Sequence, residues 1–187
     1  MRFWFVRHGE SSHNAAGLFC GSLDSDLTTK GYEQARVAAS SLANKEIDWI
    51  VSSPLSRASI TARIIAAQHG LRVEHDRRLT EHCKGELEGS PHYKIPSDQW
   101  GSVPGAEKMV EMYARVHDAL GALLSHPGTG VVVSHAGVAR AIAAVNSRID
   151  PAQLYSLAKI DNAEPVLVEI PDGMFLERAP LHLRPQG

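Results

Sequence analysis

The residues best suited to chemistry in this chain stand just after short apolar runs. Arg7-His8-Gly9-Glu10-Ser11, with Asn14 close behind, comes after the run Arg2–Val6. Ser52-Ser53-Pro54-Leu55-Ser56-Arg57 closes the run Trp49–Ser52. Leu79-Thr80-Glu81 and then His82-Cys83-Lys84-Gly85 come after a weaker run, Leu71–His75. Ser134-His135-Ala136-Gly137 closes Val131–Ser134. The groups concerned are two Arg, two His, one Glu and one Asn. Arg binds phosphate oxygens through a rigid two-pronged fork, and helix N-termini add oriented amides. A His within such a cluster can serve as nucleophile or as acid and base.

These residues can meet only if the apolar runs are strands of one sheet. Helical patterns lie between the runs. One starts at a Thr28 or Thr29 cap and reaches Asn44, with Ala35, Ala38, Ala39 and Leu42 inward. A second runs from Ser56 to Gln68, opened by Pro54 and stopped before Gly70. A third, Ala106–Ser125, carries Met109, Met112, Val116, Leu120 and Leu123 on one side. A fourth, Gly137–Ser147, is apolar nearly all round, as a buried helix is. Further strands are expected at Pro165–Ile170 and, after a Pro171-Asp172-Gly173 turn, at Met174–Glu177. Strands alternating with helices predict a three-layer α/β/α sandwich, with a mostly parallel central sheet and helices on both faces. In such sheets ligands bind beyond the carboxyl ends of the strands. The whole chain, 1–187, reads as one domain. Thr80–Gly105 is its longest irregular stretch and is expected to act as a substrate loop; residues 180–187 are expected to fray.

Composition excludes several classes. Of 187 residues, 43% are hydrophobic and 21% charged, the pattern of a soluble globular domain. A net charge of −2 gives no basic excess for nucleic acid. No apolar run approaches the roughly 18 residues of a membrane span. Cys20 and Cys83 stand far apart in no metal or redox pattern, which favours a reducing, cytoplasmic setting. The ten His invite a metal reading. Spacing argues against it, since no His pair stands at i, i+4 and no H-E-x-x-H is present. His69, His75, His117, His126 and His182 read as surface residues, and His13 sits beside Asn14. Gly128-Thr129-Gly130 precedes a strand rather than trailing one, so it is no dinucleotide fingerprint. No cofactor is called for.

Arg7-His8-Gly9-Glu10 with Asn14, Ser52-Ser53-Pro54-Leu55-Ser56-Arg57-Ala58, and Val133-Ser134-His135-Ala136-Gly137 resemble the histidine phosphatase superfamily (phosphoglycerate-mutase-like), in its phosphatase branch. Glu81 with Gly85 and Glu88-Gly89 resembles that family's acid-bearing segment, Leu-x-Glu-x-x-x-Gly-x-x-Glu-Gly. Gly21-x-x-Asp24-x-x-Leu27-Thr28-x-x-Gly31 and Pro104-Gly105-x-Glu107 extend the match, in order, over about residues 2 to 145. The resemblance implies that neutral His8 attacks phosphorus in line and becomes a phosphohistidine. It implies that Arg7, Arg57 and His135 hold the phosphoryl oxygens with help from Asn14. Glu81 would protonate the leaving oxygen and later deprotonate the hydrolytic water. On this reading two Arg and a protonated His135 supply the positive charge without a metal, and that charge keeps His8 neutral. Glu81 must start protonated, so its pKa is expected to be raised.

The sequence also departs from the family. Thr80 stands where many relatives carry a basic residue, and His82-Cys83-Lys84 is an unusual continuation. Phe19-Cys20-Gly21 looks more like the true mutases, yet the chain is too short for the insertion that mutases carry after the acid segment. The expected reaction is therefore hydrolysis of a small phosphorylated metabolite by a metal-independent phosphomonoesterase. A phosphoglycerate-type mutase and a phosphohistidine or phosphoprotein phosphatase are the alternatives. Ser22, His82, Lys84, His92 and Tyr93 are candidate substrate contacts, with Lys94 and Trp100 nearby, and the basic ones suggest an anionic substrate. Glu10 and Glu88 compete with Glu81 for the acid role. No nucleic acid or membrane partner is expected; a homodimer is compatible with the sequence.

Overall fold

The structure, a computed structural model, describes residues 1–92, 102–147 and 160–171. Five strands form one sheet in the order β3-β2-β4-β1-β5. They are β1 (Arg2–Arg7), β2 (Trp49–Ser52), β3 (Val73–His75), β4 (Thr129–Ser134) and β5 (Pro165–Glu169). The first four are mutually parallel where they pair, and β5 runs antiparallel to β1. The helices are α1 (Ser12–Ala15), α2 (Thr29–Leu42), α3 (Ser56–His69), α4 (Met109–Leu123) and α5 (Ala136–Ser147).

Period-two alternation sorts each strand between two cores. Phe3 and Phe5 of β1, Val51 of β2 and Val132 of β4 pack beneath α4 and α5. Val6, Ile50, Val131 and Val133 pack on the opposite face with α2 and α3. The helices turn inward the residues that their spacing selects: Ala35, Ala38, Ala39 and Leu42 of α2, and Met112, Val116, Leu120 and Leu123 of α4, are all buried. This is the expected three-layer α/β/α architecture.

Boundaries shift where local chemistry intervenes. Helix α4 starts at Met109 rather than Ala106. Gly105 before it has φ +72° and belongs to a turn, and the Lys108 amide donates to Glu111 Oε2 at 2.9 Å to open the helix. Strand β3 begins only at Val73, because Gly70 ends α3 in the left-handed region at φ +63°. The expected irregular stretch from Thr80 holds a 3-10 turn at Gly85–Leu87 and isolated bridges Leu18–Pro91 and Lys84–Ala106. The expected strand at Met174–Glu177 and the tail at 180–187 lie outside the described residues. Among the described residues no helix is long and apolar enough to cross a membrane.

Candidate active site

Register places the two central histidines. Arg7 of β1 pairs with Ser134 of β4, so His8 and His135 leave adjacent strand ends together. The His8 amide donates to Ser134 O at 2.9 Å, and the two rings lie 5.1 Å apart between centroids at 60°. Strand β2 ends beside them and delivers Ser53, which leads through Pro54 and Leu55 into α3 and Arg57.

His8 is fixed in one tautomer. Its buried Nδ1–H donates to Gly9 O at 2.7 Å, which leaves the Nε2 lone pair for an electrophile. Burial, and then the charges of Arg57 and Arg7, hold its pKa well below the usual imidazole value. The ring is therefore neutral near pH 7. The backbone around it is tightly held: Gly9 N donates to Thr61 Oγ1, Asn162 Nδ2 to His8 O, and Ala163 N to Arg7 O. The turn after β1 lies so close to α2 that a Cβ on Gly9 would overlap the Gly31 backbone, and one on Gly31 would overlap the Glu10 carbonyl. Only glycine permits that approach.

Arg7 and Arg57 face a cavity of about 300 Å³. Their guanidiniums are already held from behind. Arg7 donates to Ile160 O at 2.9 Å, and Arg57 donates to Leu23 O and Gly21 O, both at 2.8 Å. Nε of each, and Nδ1 of fully buried His135, lack a hydrogen-bond partner. Buried polar atoms are nearly always paired, so the two arginine Nε atoms at this cavity mark a place where a ligand supplies the partners. Asn14 also lines the cavity; its Oδ1 accepts the Ser11 amide at 3.3 Å in the cap of α1, and its Nδ2 is the donor left over.

His135 differs from expectation. It lies beside His8 and is not among the residues lining the cavity, with Nε2 bonded to Ser53 Oγ at 2.8 Å. Burial and the neighbouring Arg57, with His8 and Arg115, hold its pKa well below the imidazole norm, so it is neutral rather than protonated. The positive charge of the site comes from arginine and lysine.

Glu81 lies on the cavity wall at the N-terminus of α5. Its carboxylate accepts Gly137 N at 3.1 and 3.2 Å and His82 N at 2.8 Å. A Cβ on Gly137 would overlap Glu81 Oε1, so glycine at the second position of α5 makes room for the acid. Its pKa also departs from expectation. Burial raises it, but Lys84, the two amides and Arg57 together outweigh burial and leave it lowered. The expectation of a raised value took account of burial and missed the donors gathered around the carboxylate.

The remaining carboxylates separate cleanly. Glu10 is taken by Thr28 and Lys30. Glu88 accepts Ser22 N, Ser22 Oγ and Lys84 N, and so ties the turn at Gly21 to the loop at Lys84. Ser22 is spent on that tie and is not on the cavity wall. His82 is not on the wall either: its Nε2–H donates to Glu107 O at 2.7 Å and its Nδ1 meets Lys84 Nζ at 2.6 Å. Lys84 and His92 do line the cavity, His92 with its ring against Phe19 at 4.7 Å. Tyr93, Lys94 and Trp100 lie outside the described residues.

Arg140 and Arg115 were not singled out from sequence, and Asp24 stood there only as a position of the Gly21-x-x-Asp24 motif. Arg140, one turn into α5, lines the cavity. Asp24 caps α3 from a distant loop, accepting Ser56 N at 2.8 Å and Ser56 Oγ at 2.7 Å. Arg115 of α4 pairs with Glu107 and donates to the carbonyls of Arg78, Thr80 and Glu81, so it clamps the acid-bearing segment. Arg140 had a signal, being a cation one turn beyond His135; Asp24 had its place in the motif, and Arg115 had none strong enough. Among the described residues no group of three or more His, Cys, Asp and Glu side chains is placed to hold a metal ion.

The chain is similar to known proteins over most of its length. Residues 3–178 match the model of the histidine phosphatase superfamily (branch 1). The chain is 35% identical over 175 residues to a putative phosphoserine phosphatase 2 of Hydrogenobacter thermophilus, covering 87% of this chain and 86% of that one. It is 36% identical over 149 residues to a probable phosphoglycerate mutase of Yersinia pestis, covering 72% and 69%. Among solved structures it resembles a mycobacterial glucosyl-3-phosphoglycerate phosphatase in complex with VO3 at a TM-score of 0.80 and 28% identity, over 90% of both chains. From neutral His8 between two arginines to the sheet that aligns them, this chain belongs to the histidine phosphatase superfamily, branch 1.

Proposed function

We propose that this protein is a metal-independent phosphomonoesterase that hydrolyses a small phosphorylated metabolite through a phosphohistidine on His8. One observation carries the reading: a neutral His8, with Nδ1 tied to Gly9 O, beside Arg7 and Arg57 whose buried Nε atoms have no partner. Phosphoryl transfer needs mainly positioning and charge stabilisation. His8 Nε2 attacks phosphorus while Arg7, Arg57 and Asn14 bind the equatorial oxygens. His135 supports the His8 side of the site. Glu81, in its protonated form, gives its proton to the leaving alkoxide. As the carboxylate, it then takes a proton from the water that attacks the phosphohistidine. Relatives named as phosphatases, in sequence and in structure, support hydrolysis.

A panel of phosphorylated metabolites assayed for phosphate release tests the reading. Wild-type protein should release phosphate from some of them, also in the presence of a chelator. His8→Ala should abolish release of phosphate from an aryl phosphate while the fold is retained. Activity persisting in the pure variant would overturn the nucleophile assignment. Loss in chelator that added metal restores would overturn metal independence. The Yersinia relative named as a mutase favours a second reading, phosphoglycerate mutase chemistry. Isomer interconversion without phosphate release would replace the first reading with the second.

A further inference from the structure

The turn that carries His8 is held peptide by peptide. In the Arg7–His8 unit, Arg7 O accepts Ala163 N at 2.7 Å and His8 N donates to Ser134 O at 2.9 Å. In the His8–Gly9 unit, His8 O accepts Asn162 Nδ2 at 2.7 Å and Gly9 N donates to Thr61 Oγ1 at 3.1 Å. The Gly9–Glu10 unit differs, because one of its partners is the His8 ring itself. Gly9 O accepts His8 Nδ1–H at 2.7 Å, and Glu10 N donates to Gln34 Oε1 at 2.8 Å. A trans peptide is planar, and its C=O and N–H point opposite ways. Whatever holds the Glu10 N–H therefore aims the Gly9 carbonyl. Gln34 is placed for this by the close approach of α2. Gly9 lies against Gly31, and Gln34 stands about one turn further along the same face of that helix. Gln34 is half-buried and does not line the cavity that Arg7, His8 and Arg57 face.

We propose that Gln34 is a positioning residue for His8: by accepting the Glu10 amide it aims the Gly9 carbonyl at the His8 ring and keeps the attacking nitrogen unprotonated. A neutral imidazole carries one proton, and the hydrogen bond made by one ring nitrogen decides which of the two bears it. With the Gly9 carbonyl aimed at Nδ1, the proton stays there and the Nε2 lone pair faces phosphorus. With the carbonyl released, the form protonated at Nε2 gains population, and that form has no lone pair at Nε2 to attack with. The proposal rests on the phosphohistidine reading and adds to it a residue that never touches the substrate.

The test pairs turnover with a readout that needs no substrate. Nitrogen NMR of isotope-labelled histidine rings identifies His8 by the signals lost in His8→Ala. In wild-type protein at neutral pH these signals should report a proton on Nδ1 and none on Nε2. Gln34→Met removes the acceptor with little change of shape. Its His8 signals should move toward a mixture of the two tautomers. Its kcat on an aryl phosphate should fall about tenfold or more, while KM and inhibition by inorganic phosphate stay within about threefold. Gln34→Glu keeps an acceptor oxygen at the same reach and should restore both the wild-type tautomer and kcat. Should Gln34→Met fail to fold, Gln34→Lys, a donor with no acceptor, should show the same changes. An unmoved tautomer, an unchanged kcat, or no rescue by Gln34→Glu would overturn the proposal. If wild-type protein releases phosphate from no ester while Gln34→Met still shifts the tautomer, the role of Gln34 stands and the phosphohistidine reading falls.

Discussion

At the scale of single residues, the most informative conflict is at Glu81. A leaving-group acid must be protonated, yet Lys84, two amides and Arg57 favour its carboxylate. The acid form is therefore scarce in the empty site, and catalysis should fall as pH rises above the lowered pKa. Removing the Lys84 charge takes away one stabiliser of the carboxylate, so the pKa of Glu81 rises. The falling limb of kcat against pH, measured with 2-hydroxyethyl phosphate, should therefore move to higher pH in Lys84→Met. An unmoved limb would show that Lys84 does not control the acid. Gly137 gives a second prediction. In Gly137→Ala the new methyl displaces the Glu81 carboxylate. Because misplacing a catalytic group by about 1 Å can cost roughly 100-fold, kcat should fall on that order while binding of inorganic phosphate is retained.

At the scale of elements, the site depends on loops that hold one another. The N-terminus of α3 has no side-chain cap of its own, and Asp24 supplies one from the loop that also offers Gly21 O and Leu23 O to Arg57. Loss of a cap costs about 1 kcal/mol. Asp24→Ala should therefore lower stability by about that amount, seen in urea unfolding. It should also raise KM, since the loop that orients Arg57 loosens with it. A stability loss with KM unchanged would separate the cap from the arginine. Most elements were legible from sequence because helix and strand periods differ, as in the inward Ala35, Ala38, Ala39 and Leu42 of α2. Short α1 was not, because four residues carry no period; it exists through the Ser11–Asn14 cap.

At the scale of the whole molecule, the buried histidines link folding to pH. His82 is pushed to about pKa 4 by burial and by Lys84. Below about pH 6.5 the unfolded imidazole takes a proton that the folded one refuses until near pH 4, so folding stability falls across that window. The difference amounts to up to roughly 3 kcal/mol for this group. Buried His8 and His135 act in the same direction. Urea midpoints at pH 7 and pH 4.5 should differ accordingly, and His82→Gln should reduce the difference. A midpoint that does not move with pH would contradict a neutral buried His82.

Chain order was enough to establish the succession of strands and helices, the placement of Arg7, His8, Arg57, Glu81 and His135 near strand ends, and the family. Those features are local: each depends on a run of a few residues and its immediate continuation in the chain. The charge states needed the folded arrangement. Burial and then side chains from other elements, Arg57 first among them, keep His135 neutral, while Lys84, the amides of His82 and Gly137, and Arg57 leave the Glu81 pKa lowered against burial. The fold also settled which loop residues reach the cavity, sending Ser22 to Glu88 and His82 to Glu107 while keeping Lys84 on the wall. Charge and hydrogen bonding act through space, and the distances that govern them exist only once the strands have been brought into register.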